Sequence, residues 1–230
     1  MKFSNKICIF DLETDGVNPN VCSAVQIAAV IVDPIKLEIV KDSEFNIMLK
    51  PESLELNPNH EYDNDILNFH AKVRNCSRDD ILCSWKEAMP QKQAWSLFCG
   101  YLDKYHSRTS KKNEFSAPIA SGYNINRFDL KIVNRMAQKF NTVNKENDSN
   151  IFYPRDVIDI MNLLYYWFMY LEDVKSISLD NVRDYFSISK DNAHDALKDV
   201  KDCADILLRF LKLHKNLSQK IKFKGAFGDV

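Results

Sequence analysis

Ile7-Cys8-Ile9-Phe10-Asp11-Leu12-Glu13-Thr14-Asp15-Gly16 reads as a strand of buried residues running into a turn at Asp15-Gly16. Side chains alternate faces along a strand, so Ile7, Ile9, Asp11 and Glu13 share one face and Cys8, Phe10 and Leu12 the other. Two carboxylates therefore point the same way at the end of an apolar strand. Partly buried and side by side, they repel by a few kcal/mol at an effective dielectric near ~20, so a proton or a cation has to sit between them. A polar strand end fraying into solvent has the same Asp-x-Glu wording, and the rest of the chain has to decide between the two.

Working outward, Ala24 to Asp33 is a second strand, apolar almost throughout and so covered on both faces. Leu37 to Leu49 alternates as a third, after a turn at Asp33-Pro34. Short connections between the three imply an antiparallel meander. Residues 50–86 form a long polar excursion with short helices, a length usual for functional segments. Then follow a helix over Glu87–Tyr105, a strand over Ala117–Gly122 and a helix from Arg127 to Phe140. A short strand at Val157–Ile160 runs into a helix over Met161–Leu171, with further helices at Leu179–Phe186 and Ala193–Leu213. This order predicts an α/β fold, one sheet of mixed direction with helices on both faces. The whole of 1–230 is expected to be one domain, with a short C-terminal tail at 216–230.

Thirty-one basic against 32 acidic residues leave a formal net charge of -1, which argues against a broad basic face that coats duplex DNA. A small site gripping a chain end remains open. The six cysteines contain no C-x-x-C pair and read as free thiols, so an intracellular, cytoplasmic setting is expected. A zinc site from His60, His70, Cys76 and Cys83 has irregular spacing and is set below ordinary core and loop roles. The apolar run around Leu163–Leu171 is too short to span a bilayer.

Two more carboxylates sit on apolar stripes. Asp129 shares a helix face with Ile132, Val133, Met136 and Phe140, and Asp199 lies among Ala196, Val200, Cys203, Leu207 and Phe210. Asp202 and Asp205, by contrast, fall on or beside the polar face. A buried aspartate without a partner is costly. With Asp11 and Glu13 these make four inward acids in separate elements, and metal binding is the simplest account. His194, five positions before Asp199, sits near that helix start and is a candidate general base, since imidazole titrates near neutral pH.

The segments Asp11-Leu12-Glu13-Thr14-Asp15-Gly16, Gly122-Tyr123-Asn124-Ile125-Asn126-Arg127-Phe128-Asp129 and His194-Asp195-Ala196-Leu197-Lys198-Asp199 resemble the three motifs of the DEDDh 3′→5′ exonuclease family. Gly-Tyr-Asn followed by Arg-Phe-Asp is most similar to its exonuclease I branch. The segment around Ile66 and His70 resembles the family's His-Gly-Ile turn, with Ala71 where glycine is usual. The resemblance implies an RNase H-like fold and two divalent ions, Mg²⁺ or Mn²⁺, about 3.5–4 Å apart. It further implies that Asp11 bridges both ions, that Glu13 and Asp199 hold the ion carrying the attacking water, that Asp129 holds the second, and that His194 takes the proton. All-oxygen ligands favour these ions over zinc.

The same resemblance implies a substrate with a free single-stranded 3′ end, DNA ahead of RNA, met by Leu12, Glu13 and Thr14, with Tyr123, Asn124, Phe128 and His70 nearby. Phe69, Tyr123 and Phe227 are candidates for base stacking, and Lys220, Lys222 and Lys224 for phosphate contacts; ordinary packing and a solvated tail are the competing accounts. RNA trimming is the alternative within the same chemistry. A catalytically idle nucleic-acid-binding accessory subunit is the alternative of another class.

Overall fold

The computed structural model describes residues 5–109, 114–143, 150–172, 174, 176–191 and 195–220. In chain order the strands are β1 (Ile7–Thr14), β2 (Ala24–Asp33), β3 (Glu38–Ile39) and β4 (Phe45–Met48). Helices α1 (Glu52–Leu56), α2 (Asn64–Arg74), α3 (Arg78–Glu87) and α4 (Gln91–Asp103) follow. Next come β5 (Ser107–Thr109), β6 (Glu114–Ser116), β7 (Ile119–Gly122), α5 (Asp129–Lys139) and β8 (Val157–Asp159). The chain ends in α6 (Ile160–Phe168), α7 (Leu179–Phe186) and α8 (Ala196–Lys220).

The main sheet runs β3-β2-β1-β7-β8, with β4 also paired to β2, and β5 and β6 make a separate hairpin that the sequence did not lead us to expect. β2 lies antiparallel to β1, β3 and β4, whereas β7 is parallel to both β1 and β8. This is the mixed α/β sheet of an RNase H-like fold. The β1 alternation is as read. Cys8, Phe10 and Leu12 pack with Trp95, Phe98 and Leu102 of α4 and Ile132, Val133 and Met136 of α5. Ile7 and Ile9 pack on the opposite side with Leu164 of α6, Val182 of α7 and Val200, Ala204 and Leu207 of α8. Helices therefore cover both faces, and β2, the second strand inward, is buried at every position.

The expected third strand is broken in two. Val40 N still donates to Ile31 O, but Asp42 is left-handed at φ 57° and Ser43 then turns inward. Its hydroxyl accepts from Ile31 N at 3.1 Å, standing in for a ladder carbonyl across the break. The polar excursion holds short helices, as expected. α1, α2 and α3 enclose a small core of Leu54, Leu67, Ala71, Ile81 and Trp85 against Val25. Ser77 and Asp80 close a reciprocal capping box at the start of α3. α8 runs to Lys220, so the expected tail is helical over 216–220, and 221–230 lie outside the described residues.

His70 and Ala71 lie inside α2 and form no turn. The left-handed position a glycine would fill is Asn75, at φ 50°, where α2 ends and its N–H closes back on Ala71 and Lys72. Asparagine tolerates that region better than other residues with a side chain, so Ala71 sits in ordinary helix and the chain bends four residues later.

Candidate active site

The face of β1 that buries Ile7 and Ile9 continues as Asp11 and Glu13, opposite Ala28 and Gln26 of β2. β7 accompanies β1 only as far as Ile9, which faces Ser121. Beyond it the chain turns away at Gly122, where an added Cβ would lie 2.6 Å from Phe10 O and 2.4 Å from a methyl of Ile125. Only glycine fits that approach. With β7 gone, Leu12 N on that side needs another acceptor, and Asp129 Oδ1 supplies it at 3.0 Å. A hydrogen bond thus ties the first residue of α5 to the middle of the Asp11-Leu12-Glu13 segment.

The loop from Gly122 to Asp129 is braced from β8. Asp159 accepts from Asn124 N at 3.0 Å and Asn126 N at 3.2 Å while also capping α6 through Met161 N at 3.1 Å. Asn124 takes the left-handed conformation, φ 56°, that the loop needs. Tyr123 is half-buried and its hydroxyl donates to Ile177 O, which makes it a brace toward the segment before α7. Phe128 is partly buried against the α4–α5 core.

Asp199 comes from the first turn of α8, which packs across β1 and β2, and is 8% exposed. Its Oδ1 accepts from Arg183 Nη2 of α7 at 2.5 Å. Arg183 is wholly buried, with Nε on Asp202 at 2.8 Å and Nη1 on Asp180 at 2.9 Å. Lys198 Nζ also reaches Asp202, at 2.6 Å. Asp202, expected on the polar face, is in fact buried at 6% exposure, because this buried guanidinium pairs with it. Sequence reasoning missed Arg183, although Leu179, Val182, Arg183 and Phe186 fall on one helical face by the spacing that singled out Asp129 and Asp199.

The electrostatics bring the four acids together. Burial pushes the Asp11 carboxyl well above its usual range, and Asp129, Glu13 and Asp199 push it further, with Arg183 opposing. Glu13 is raised to about 7, chiefly by burial and then by Asp199, with Arg74 lowering it. Asp129 is raised to about 7, again by burial, against the hydrogen bond from Leu12. Buried carboxyls of this kind are hard oxygen donors whose charged form a divalent cation would favour, so their chemistry suits such an ion. The oxygens are not gathered into a preformed cage. Among the described residues no group of three or more His, Cys, Asp or Glu is arranged to hold a metal ion. That statement covers the zinc site considered above as well. Two of the acids have other partners in this arrangement, Asp129 through Leu12 N and Asp199 through Arg183.

The remaining expected contacts divide. His70 is 3% exposed, donates from Nε2 to Thr14 O at 2.8 Å and packs edge-on to Trp85. It supports the end of β1 and has no exposed ring for a base. Thr14 Oγ1 closes the following turn on Gly16 O at 2.7 Å. Leu12 N, read as near a 3′ hydroxyl, is taken by Asp129. Phe69 is half exposed. His194, Phe227, Lys222 and Lys224 lie outside the described residues, as does the side chain of Lys220. Arg74, which the sequence did not single out, reaches Gln26 Oε1 at 2.9 Å, beside Glu13. No helix among the described residues is long and apolar enough to cross a membrane.

No family model and no curated protein sequence matches the chain. Solved structures do. Escherichia coli exonuclease I bound to a dT13 oligonucleotide superposes with a TM-score of 0.66 at 14% identity, over 94% of this chain and 43% of that one. The zinc-bound form of the E. coli exonuclease I complex with single-stranded DNA gives 0.66 at 14%, over 94% and 42%. A moderately thermophilic exonuclease I from Methylocaldum szegediense gives 0.62 at 15%, over 89% and 40%. The likeness is one of fold, and this chain spans less than half the length of those proteins.

Proposed function

We propose that this chain is a divalent-metal-dependent 3′→5′ exonuclease that removes nucleoside 5′-monophosphates from single-stranded DNA. One observation carries the reading. Acids from three separate elements lie close enough that Asp129 of α5 and Asp199 of α8 raise the proton affinity of both Asp11 and Glu13 of β1. The fold shared with exonuclease I, solved with single-stranded DNA bound, supports the substrate class.

In this reading Asp11, Glu13, Asp129 and Asp199 hold two Mg²⁺ or Mn²⁺ ions. Such ions supply activation of the attacking water and neutralise charge on the leaving 3′ oxygen. Asp11, whose carboxyl feels the other three, would be the central ligand. Leu12 N holds Oδ1 of Asp129 and so orients that carboxylate. His194 takes the proton from the water, and the end of β1, held by His70, presents Glu13 and Thr14 to the terminal nucleotide. Changing His194 to Ala lowers turnover by ~10²–10⁴-fold and leaves Mn²⁺ binding in place.

A second reading, a nucleic-acid-binding relative that no longer catalyses, rests on the Arg183–Asp199 ion pair, which engages one of the four acids. One assay separates these readings from each other and from RNA trimming. Matched DNA and RNA 20-mers carrying a 5′ label are incubated with Mg²⁺, with Mn²⁺ and with chelator. The exonuclease shortens the labelled DNA strand one nucleotide at a time from its 3′ end, releases 5′-monophosphates and stops with chelator. Faster shortening of RNA moves the substrate assignment. A labelled strand that keeps its full length in every condition favours the idle relative and rejects the main reading.

A further inference from the structure

Burying a guanidinium is expensive unless its donors are used and its charge is matched. Arg183 is the second largest of the fully buried side chains, after Trp85. Each of its three nitrogens donates to a different carboxylate: Nε to Asp202, Nη1 to Asp180 and Nη2 to Asp199. As a device for joining α7 to α8 this is poor value, since apolar residues of similar volume commonly fill such places at equal or lower free energy. Its planar fork offers what an apolar side chain does not, a fixed direction for each bond.

Two of the three partners serve to hold the fork. Asp180 is one turn back on α7, and Asp202 is itself gripped by Lys198 Nζ at 2.6 and 2.7 Å. Within this group Arg183 and Lys198 balance Asp180 and Asp202. The third branch then reaches an acid of the candidate site from a donor already locked in place. Arg183 meets the site through Asp199, and its charge is felt at Asp11.

We infer that Arg183 is a positioning residue for Asp199. By holding Oδ1 it sets the orientation in which α8 presents that carboxylate to Asp11 and Glu13, and so sets the geometry of ion binding. The inference rests on the function proposed above and predicts the opposite of a simple competitor. Removing the guanidinium weakens ion binding, even though it releases an oxygen of Asp199. Hydrogen-bonding partners of metal ligands are typically worth 10–100-fold in affinity.

The test is calorimetric titration of Mn²⁺ into the full-length protein without substrate, for the parental chain, R183K, R183M, D199N and R183M/D199N, with circular dichroism confirming the fold of each. Lysine keeps the charge and loses the fork. The expected result is about tenfold weaker Mn²⁺ binding in R183K and 10–100-fold weaker in R183M. R183M on the D199N background has no further effect, because the arginine acts through that one acid. Should R183M fail to fold, R183K and its double variant with D199N carry the same comparison. Mn²⁺ affinity within twofold of parental in folded R183K and R183M overturns the inference, as does an equal loss on both backgrounds, which marks a purely structural role. A parental protein that binds no Mn²⁺ overturns the function itself and this inference with it, so the two failures are told apart.

Discussion

Glu13 offers the sharpest test of the acidic cluster, because its environment predicts a stability change of definite sign. Its carboxyl rises from 4.5 to about 7 on folding. The folded state therefore favours the protonated form, stability is fully kept below about 4.5, and it is lost as pH rises through about 7. At 1.36 kcal/mol per pH unit the penalty reaches ~3 kcal/mol at pH 8, and is ~1 kcal/mol or less at pH 5. Glu13→Gln has nearly the same shape and carries no charge at either pH. Measured by thermal unfolding in chelator, the variant should nearly match the parental protein at pH 5. At pH 8 it should melt ~6–12 °C higher, taking 2–4 °C per kcal/mol for a chain of this size. Excess Mn²⁺ should reverse the order at pH 8, because only the parental protein gains the full linkage energy of ion binding. Superimposable melting curves at pH 8 in chelator would mean that Glu13 is not held against its neighbours, and the account of the site would fail.

Gly122→Ala places a methyl group 2.6 Å from Phe10 O, so the β1–β7 contact must open, and denaturant unfolding should show a loss of ~1–3 kcal/mol. Asp159→Ala removes the acceptor for Asn124 N, Asn126 N and Met161 N, and should cost ~2–4 kcal/mol by the same measurement, with Asp159→Asn less damaging. Arg135, which donates to Pro19 O at 2.5 Å and to Cys22 O, fastens the turn after Asp15 to α5. Arg135→Ala should speed amide exchange over residues 16–23 while protection of β1 and β2 stays within error, since the affected opening is local.

How legible this was from the residues depends on which physical signal each feature sends. β2 and α7 lie within the bounds that periodicity drew, because apolar runs with clear caps carry their own ends. β4 had to be separated from β3 by a left-handed Asp42 and an inward Ser43, neither of which breaks an alternating pattern. Asp129 and Asp199 were readable because a carboxylate on an apolar stripe contradicts its surroundings. Arg183 sends the same contradiction on α7 and was passed over, while Asp202 looked solvated because its partner lies on another element. Helix position alone cannot report a long-range ion pair. The likeness of the segment around Ile66 and His70 to a turn shows the opposite failure, since both lie within a helix and the left-handed Asn75 marks where the chain bends.

The hydrogen bond from Leu12 to Asp129 spans 117 residues of sequence. It is a long-range contact, joining β1 to the start of α5 just past the point where β7 leaves β1. An unfinished chain therefore exposes its acids singly to water, where each is stable and grips cations feebly. Under the proposed function, the ion site is therefore a property of the completed sheet, since its acids come from segments far apart in sequence.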